Sequence, residues 1–176
     1  MSKIICESGM HFGEYATADV FHIEESAIFE KLKKTEGIKT IEFILKWETG
    51  AVVFIEAKSS FPDPNNRETP EKFDERVNEV YEKFSHAMEI YFAAILNRQS
   101  DDKGDIPKYF KTVNYGEVDI KFWLVINGHH ESWLPPVSEA LRRMLRIKLK
   151  IWGMKPMDVI AINRLQAESY GLLHTT

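Results

Sequence analysis

The sequence predicts an α/β (α+β) chain built on a mixed central sheet flanked by helices. Three observations carry that expectation. Ile38 to Pro62 reads as a β-hairpin. Pro70 to Asn97 repeats apolar residues at helical spacing without a slip. From Val118 onward the chain alternates strand, helix and strand. A hairpin region followed by an alternating region gives a mixed sheet with helices packed on it.

Taken in order, Lys3 to Ser8 and Val20 to Glu24 read as two short strands, joined through a segment containing Gly13. Ser26 to Lys34 reads as a short helix with Ile28, Phe29 and Leu32 on one face, and Gly37 ends it. In the hairpin, Ile41, Phe43, Leu45 and Trp47 alternate with Glu42, Ile44 and Lys46. The second arm is the apolar run Val52 to Ile55, ending at Glu56-Ala57-Lys58. Glu48-Thr49-Gly50 suits a three-residue loop, with Gly50 at the φ > 0 position. Pairing Trp47 with Ala51 sets Glu42 opposite Glu56. Period-2 alternation then puts Lys58 on the same face. Two facing carboxylates repel, which a fold tolerates more easily with a cation between them. A two-residue loop would offset them instead.

Pro62 to Asn66 is a break. Thr69 and Pro70 then start the long helix, whose apolar face is expected to cover the hairpin. Gln99 to Gly116 is polar and reads as a surface loop, with Asp101, Asp102 and Asp105 solvating it. Val118 to Asn127 is a strand. Pro135-Pro136 precede a helix over Val137 to Lys150, with Ser138 as a cap. Asp158 to Asn163 is a last strand, and Arg164 to Leu173 a short terminal helix.

The chain has 176 residues and suits one domain, 1–176. Its apolar fraction of 44% and charged fraction of 28% are those of an ordinary globular protein. No run approaches the roughly 18 apolar residues of a membrane span, and no membrane partner is expected. The N-terminus lacks the pattern of a signal peptide. Cys6 is the single cysteine and is expected to be a buried thiol, so a reducing cytoplasm is the expected location. The net charge of −4 gives no global attraction to nucleic acid, so a local patch or a metal would have to supply it.

Two acids and a lysine at the end of a hairpin form the pattern that holds a divalent metal beside a phosphodiester. Hard oxygen ligands suit Mg²⁺ or Mn²⁺. Glu42 and Glu56 are the candidate carboxylate ligands, and the Ala57 carbonyl the candidate third. Lys58 is placed to orient a metal-bound water.

Glu42…Glu56-Ala57-Lys58, set in strand–turn–strand and followed by a helix, resembles the PD-(D/E)XK nuclease superfamily, which includes restriction endonucleases and Holliday-junction resolvases. The resemblance covers roughly Glu24 to Ile126. It implies a restriction-endonuclease-like αβββαβ core over about 24–127, Mg²⁺ (or Mn²⁺) dependence, DNA as partner and phosphodiester hydrolysis. An N-terminal strand pair and a C-terminal helix–strand extension lie outside it. Many nucleases of this fold act as dimers, which makes a homodimer an expectation from the resemblance alone. Many also carry an acid on the first helix. Glu25 is the best match, since 25, 28, 29 and 32 share a helical face; Glu24 is the alternative. The chain departs from the family in having Ile41-Glu42 where Pro-Asp is common, and in lacking a recognisable strand between the first helix and the hairpin. Those departures keep a second reading open: a catalytically inactive module of the same fold, binding protein or nucleic acid.

Arg142, Arg143, Arg146, Lys148 and Lys150 form a basic stretch, read either as phosphate contacts or as a solvated helix face. His129-His130-Glu131 reads as a loop rather than a metal site, and His22 has no ligand spacing to it.

Overall fold

The computed structural model describes residues 1–66 and 68–174. In chain order the elements are β1 (Ser2–Glu7), β2 (Met10–Ala16), β3 (Val20–Phe21), α1 (Ala27–Leu32), β4 (Phe43–Lys46), β5 (Val52–Lys58), α2 (Pro70–Ile95), α3 (Lys108–Thr112), β6 (Ile120–Ile126), α4 (Leu134–Ile151), β7 (Val159–Asn163) and α5 (Arg164–Ser169). The hairpin has the register set by a three-residue loop. Phe43 pairs with Ile55 and Leu45 with Val53. The Trp47 N–H donates to the Ala51 carbonyl at 2.8 Å, and Gly50 takes a φ of +82°.

A five-stranded mixed sheet grows from this hairpin in the order β3-β4-β5-β6-β7. The β3–β4 and β4–β5 pairs are antiparallel, and β5–β6 and β6–β7 are parallel. β5 is therefore central. Its pleat divides the molecule. Val52 and Phe54 join a cluster with Phe84, Met88 and Tyr91 of α2 and Leu141 and Leu145 of α4. Val53, Ile55 and Ala57 face a second cluster with Ile5, Met10, Phe12 and Leu172. Phe84 stacks on Phe122 at 4.8 Å, and Phe54 meets Tyr91 edge-on at 5.5 Å. The long helix thus covers the hairpin's sheet, as its periodicity predicts. No helix among the described residues is long and apolar enough to cross a membrane.

Several local expectations change. The stretch through Gly13 is a full strand, β2, paired antiparallel with β1 across the tight turn Ser8-Gly9, where both residues have positive φ. Its polar His11 and Glu14 and its Gly13 weaken the strand signal. The strand outside β4 is β3, which precedes α1; the chain between α1 and β4 forms no strand. That connection instead leans on α2, with the Lys39 N–H donating to His86 Nδ1 at 3.2 Å. Pro135 and Pro136 lie inside the first turn of α4, where a missing N–H costs nothing. Ser138 is no cap: its Oγ is buried and accepts from the Ala161 N–H at 2.9 Å, tying α4 to β7. Cys6 is exposed, because its neighbour Ile5 takes the inward position on the pleat.

The acidic loop also does more than solvate. Asp101 accepts from the Asp105 and Ile106 N–H groups at 2.7 and 3.2 Å, and Asp105 accepts from Ala27 N–H at 2.8 Å, docking the loop on the start of α1. The loop contains α3, whose Phe110 is fully buried.

Candidate functional site

Extending the β4–β5 register by one residue sets Glu42 opposite Glu56, at the point where β4 begins. Both side chains are on the face of Ile44 and Phe54, toward α2. Glu56 is completely buried and Glu42 nearly so. Two carboxylates could not share such a place unneutralised. The cation comes from α2. Lys83 Nζ lies 2.8 Å from Glu56 Oε1 and 3.5 Å from Glu42 Oε1. Lys58 Nζ lies 2.9 Å from the same Glu56 Oε1 and 2.6 Å from Glu79 Oε1. Arg76 backs Glu79 at 2.8 Å. Arg76, Glu79 and Lys83 recur at helical spacing, so one edge of α2 lays alternating charge along the end of β5.

Hydrogen bonding to Glu56 is less complete than these distances suggest. The aligned bond from Lys83 goes to Oε2 at 3.1 Å. Oε1 is buried and has ion-pair contacts but no aligned donor among the described residues. Oε1 is nevertheless held between two ammonium groups, Lys83 at 2.8 Å and Lys58 at 2.9 Å.

Charge states follow from burial and neighbours. Burial, a hydrogen bond to Glu24 and the charge of Glu56 push the Glu42 carboxyl up to about 9, against a smaller pull from Lys83. Glu42 is therefore protonated near neutrality and can share its proton with Glu24. Burial also raises Glu56, while Lys83 and Lys58 pull it back. Burial lowers Lys83, but Glu56, Glu42 and Glu24 outweigh it and hold the ammonium at about 12. Lys83 and Glu56 are the closest acid–base pair at the centre, 2.8 Å apart. Burial works to raise Glu79, but Lys58 and Arg76 prevail and hold it low.

Two of the expected metal donors, Glu42 and Glu56, converge on Lys83. Glu42, Glu56 and Glu24 supply hard carboxylate oxygens around one ammonium. The hairpin's hydrogen-bonding phase, fixed by Trp47 and Ala51, turns the Ala57 carbonyl toward the Glu42 side rather than toward β6. Carboxylate and carbonyl oxygens are of the hard type that suits a small divalent ion, and the Lys83 ammonium stands between Glu42 and Glu56.

Glu25, in contrast, does not join them. It lies in the 3₁₀ turn Ile23–Glu25, ahead of the Ser26 N-cap, so the helical-face reasoning does not apply to it. Its side chain is 66% exposed and contacts Lys3 at 3.4 Å and His22 Nδ1 at 2.8 Å. Glu24 takes the inward place. Its N–H donates to the Glu42 carbonyl at 3.4 Å. Lys83 and Glu79 were not foreseen. The available signal was a lysine held between Val80, Phe84 and Ala87 on the buried stripe of α2.

The basic stretch lies on α4, which packs on β7 and α2. Arg142 Nε donates to the Pro156 and Val159 carbonyls at 2.9 and 3.0 Å, and Lys148 pairs with Glu89 at 3.2 Å. Those two are committed to the fold, whereas Arg143, Arg146 and Lys150 are exposed. His129 is a packed loop anchor, edge-on to Trp133 at 5.2 Å and to Phe61 at 6.0 Å. Compared with protein-family models, curated proteins and solved structures, the chain matches none significantly.

Proposed function

We propose that this chain is a metal-dependent, nuclease-like protein of the PD-(D/E)XK type that hydrolyses phosphodiester bonds in DNA. The observation that carries the reading is the convergence of Glu42 and Glu56 on a single cation, the Lys83 ammonium. Order along the chain supports it too: α1, hairpin, α2 and a parallel strand beside the hairpin. In this reading Glu42, Glu56 and the Ala57 carbonyl hold Mg²⁺ or Mn²⁺, with Glu24 rather than Glu25 as the helix-side acid. A bound ion supplies Lewis acidity to an attacking water and to the phosphoryl oxygens. Lys58 is fixed beside Glu56 by Glu79, and it orients the water and meets negative charge developing on the phosphate. Lys83 keeps the carboxylates neutralised when no ion is held. Arg143, Arg146 and Lys150 give an acidic protein a local attraction to phosphates. A cytoplasmic location belongs to the same reading.

The test is cleavage of DNA with Mg²⁺ or Mn²⁺ by the wild type, Glu56→Ala and Lys58→Ala. Cleavage that survives both substitutions sinks the site assignment.

One observation favours a second reading, a catalytically inactive module of the same fold. A protonated Glu42 and a resident ammonium already balance the charge without any metal. Calorimetric titration with Mn²⁺ separates the two: a heat component that disappears in Glu56→Gln supports the nuclease, and identical heats in wild type and Glu56→Gln support the module.

A further inference from the structure

We propose that Glu7, His22 and Glu24 form a second metal site, for a divalent transition ion of the Zn²⁺ or Mn²⁺ class. The three come from separate places: the last residue of β1, the residue after β3, and the 3₁₀ turn. Their ligand atoms all lie within 4.8 Å of one another. A tetrahedral ion with bonds of ~2.0–2.1 Å spaces its ligand atoms by about 3.4 Å, so side-chain rotation of about an ångström closes the site.

His22 is what separates this cluster from an ordinary group of acids. Its side chain is 8% exposed. Neither ring nitrogen has a hydrogen-bond partner among the described residues. Nδ1 is 2.8 Å from Glu25 Oε2, but its N–H direction misses the carboxylate. A buried imidazole with both nitrogens idle loses its hydration without replacement. A metal on one nitrogen removes that cost, and a small rotation onto Glu25 satisfies the other. A ligating histidine backed by a carboxylate is an arrangement that fixes the ring and raises its basicity. Glu25 thereby becomes a positioning residue, held by Lys3. A cavity of about 290 Å³, lined in part by Lys3, Phe21, His22 and Glu25, lies on the Glu25 side of the imidazole.

The donor set decides the ion. Mixed imidazole and carboxylate ligation suits Zn²⁺ or Mn²⁺, whereas Mg²⁺ takes oxygen ligands and keeps its waters. This also gives the N-terminal hairpin a task, since β1 delivers Glu7. The hairpin's position is fixed by the Asn127 side-chain amide, which donates to the Ser8 carbonyl at 3.1 Å, next to Glu7.

The experiment is calorimetric titration of the full chain with Zn²⁺, together with Mn²⁺ electron spin echo spectra that report a directly bound ¹⁴N. The wild type is expected to bind Zn²⁺ and to show the nitrogen signal with Mn²⁺. Losing an outer partner of a metal site costs about 10–100-fold in affinity, so losing a ligand in His22→Ala costs at least about 100-fold and removes the signal. Glu7→Gln, at a part-exposed residue, weakens Zn²⁺ binding in the same direction and serves if His22→Ala fails to fold. Glu56→Gln leaves the nitrogen signal in place. The proposal is overturned if millimolar Zn²⁺ gives no binding, or if His22→Ala binds as the wild type does. Binding lost in Glu56→Gln but kept in His22→Ala also overturns it, while leaving the nuclease reading intact. A wild type that binds Zn²⁺ through His22 but cleaves no DNA separates the two the other way.

Discussion

Lys83 of α2 places its ammonium 2.8 Å from the fully buried carboxylate of Glu56 on β5. The pair joins the long helix to the central strand where their shared face turns from apolar to charged, beside the Lys58–Glu79 contact. Removing one partner of a buried pair leaves an uncompensated charge, which costs about 3–5 kcal/mol. Lys83→Met is therefore expected to lower the unfolding free energy, read from urea denaturation, by up to about that much, with Lys58 still 2.9 Å from Glu56. The double variant Glu56→Leu, Lys83→Met is expected to recover most of the loss. Additive losses in that double-mutant cycle would mean that the two residues do not act as a pair.

Glu42 makes a prediction of opposite sign to most carboxylates. Its carboxyl is raised from 4.5 to about 9. Between those values the folded state holds a proton that the unfolded state has released, so stability falls as pH rises, by at most about 1.4 kcal/mol per unit. Below 4.5 the effect vanishes. Glu42→Gln has no such proton to lose. Its stability relative to wild type is expected to rise between pH 5 and pH 9 and to level off above. Urea titrations of both proteins across that range measure it; a constant difference would show that Glu42 is ionised throughout.

Under the nuclease reading, Glu56→Ala and Lys58→Ala each lower kcat/KM by about 100-fold or more, the scale of losing one electrostatic group at a reacting centre. Mn²⁺-dependent rates on linear and supercoiled DNA report this directly. Chelation of the divalent ion is expected to abolish cleavage while leaving the circular dichroism unchanged, because Lys83 already balances Glu56 in the fold.

The hairpin loop gives a structural control. Gly50 has a φ of +82°, and a Cβ there would meet nothing closer than Tyr109 Oη at 3.7 Å. Gly50→Ala is therefore a backbone effect alone, expected to cost about 1 kcal/mol. That lowers Tm by roughly 2–4 °C for a chain of this size, seen in a thermal melt.

The sheet was legible wherever apolar periodicity and turn chemistry agreed. Trp47, Gly50 and Ala51 gave the register, and with it the meeting of Glu42 and Glu56. The α2 stripe from Val77 to Tyr91 gave the covering layer. What stayed hidden depended on distance in sequence. Lys83 reads as an ordinary helix lysine until α2 is laid on β5. The shared face that favours Glu25 over Glu24 extends a regular helix two residues ahead of α1, into residues that form a 3₁₀ turn. β2 was lost because His11, Gly13 and Glu14 interrupt its alternation, although Met10 and Phe12 are core residues. His22 has Glu24 two residues on, but Glu7, which completes the cluster, reaches it through a separate hairpin.

The central place of β5 has a dynamic consequence. It is bonded on both sides, by β4 and by β6, so its amides belong to the set expected to exchange with solvent only on global opening. β3 is a two-residue edge paired on one side alone, and it leads directly into the turn that carries Glu24. Local breathing is therefore concentrated on the Glu24 side of the carboxylates, leaving Glu56 as a fixed anchor. The slowest and fastest exchanging backbone of the sheet lie on opposite sides of the same cluster of acids.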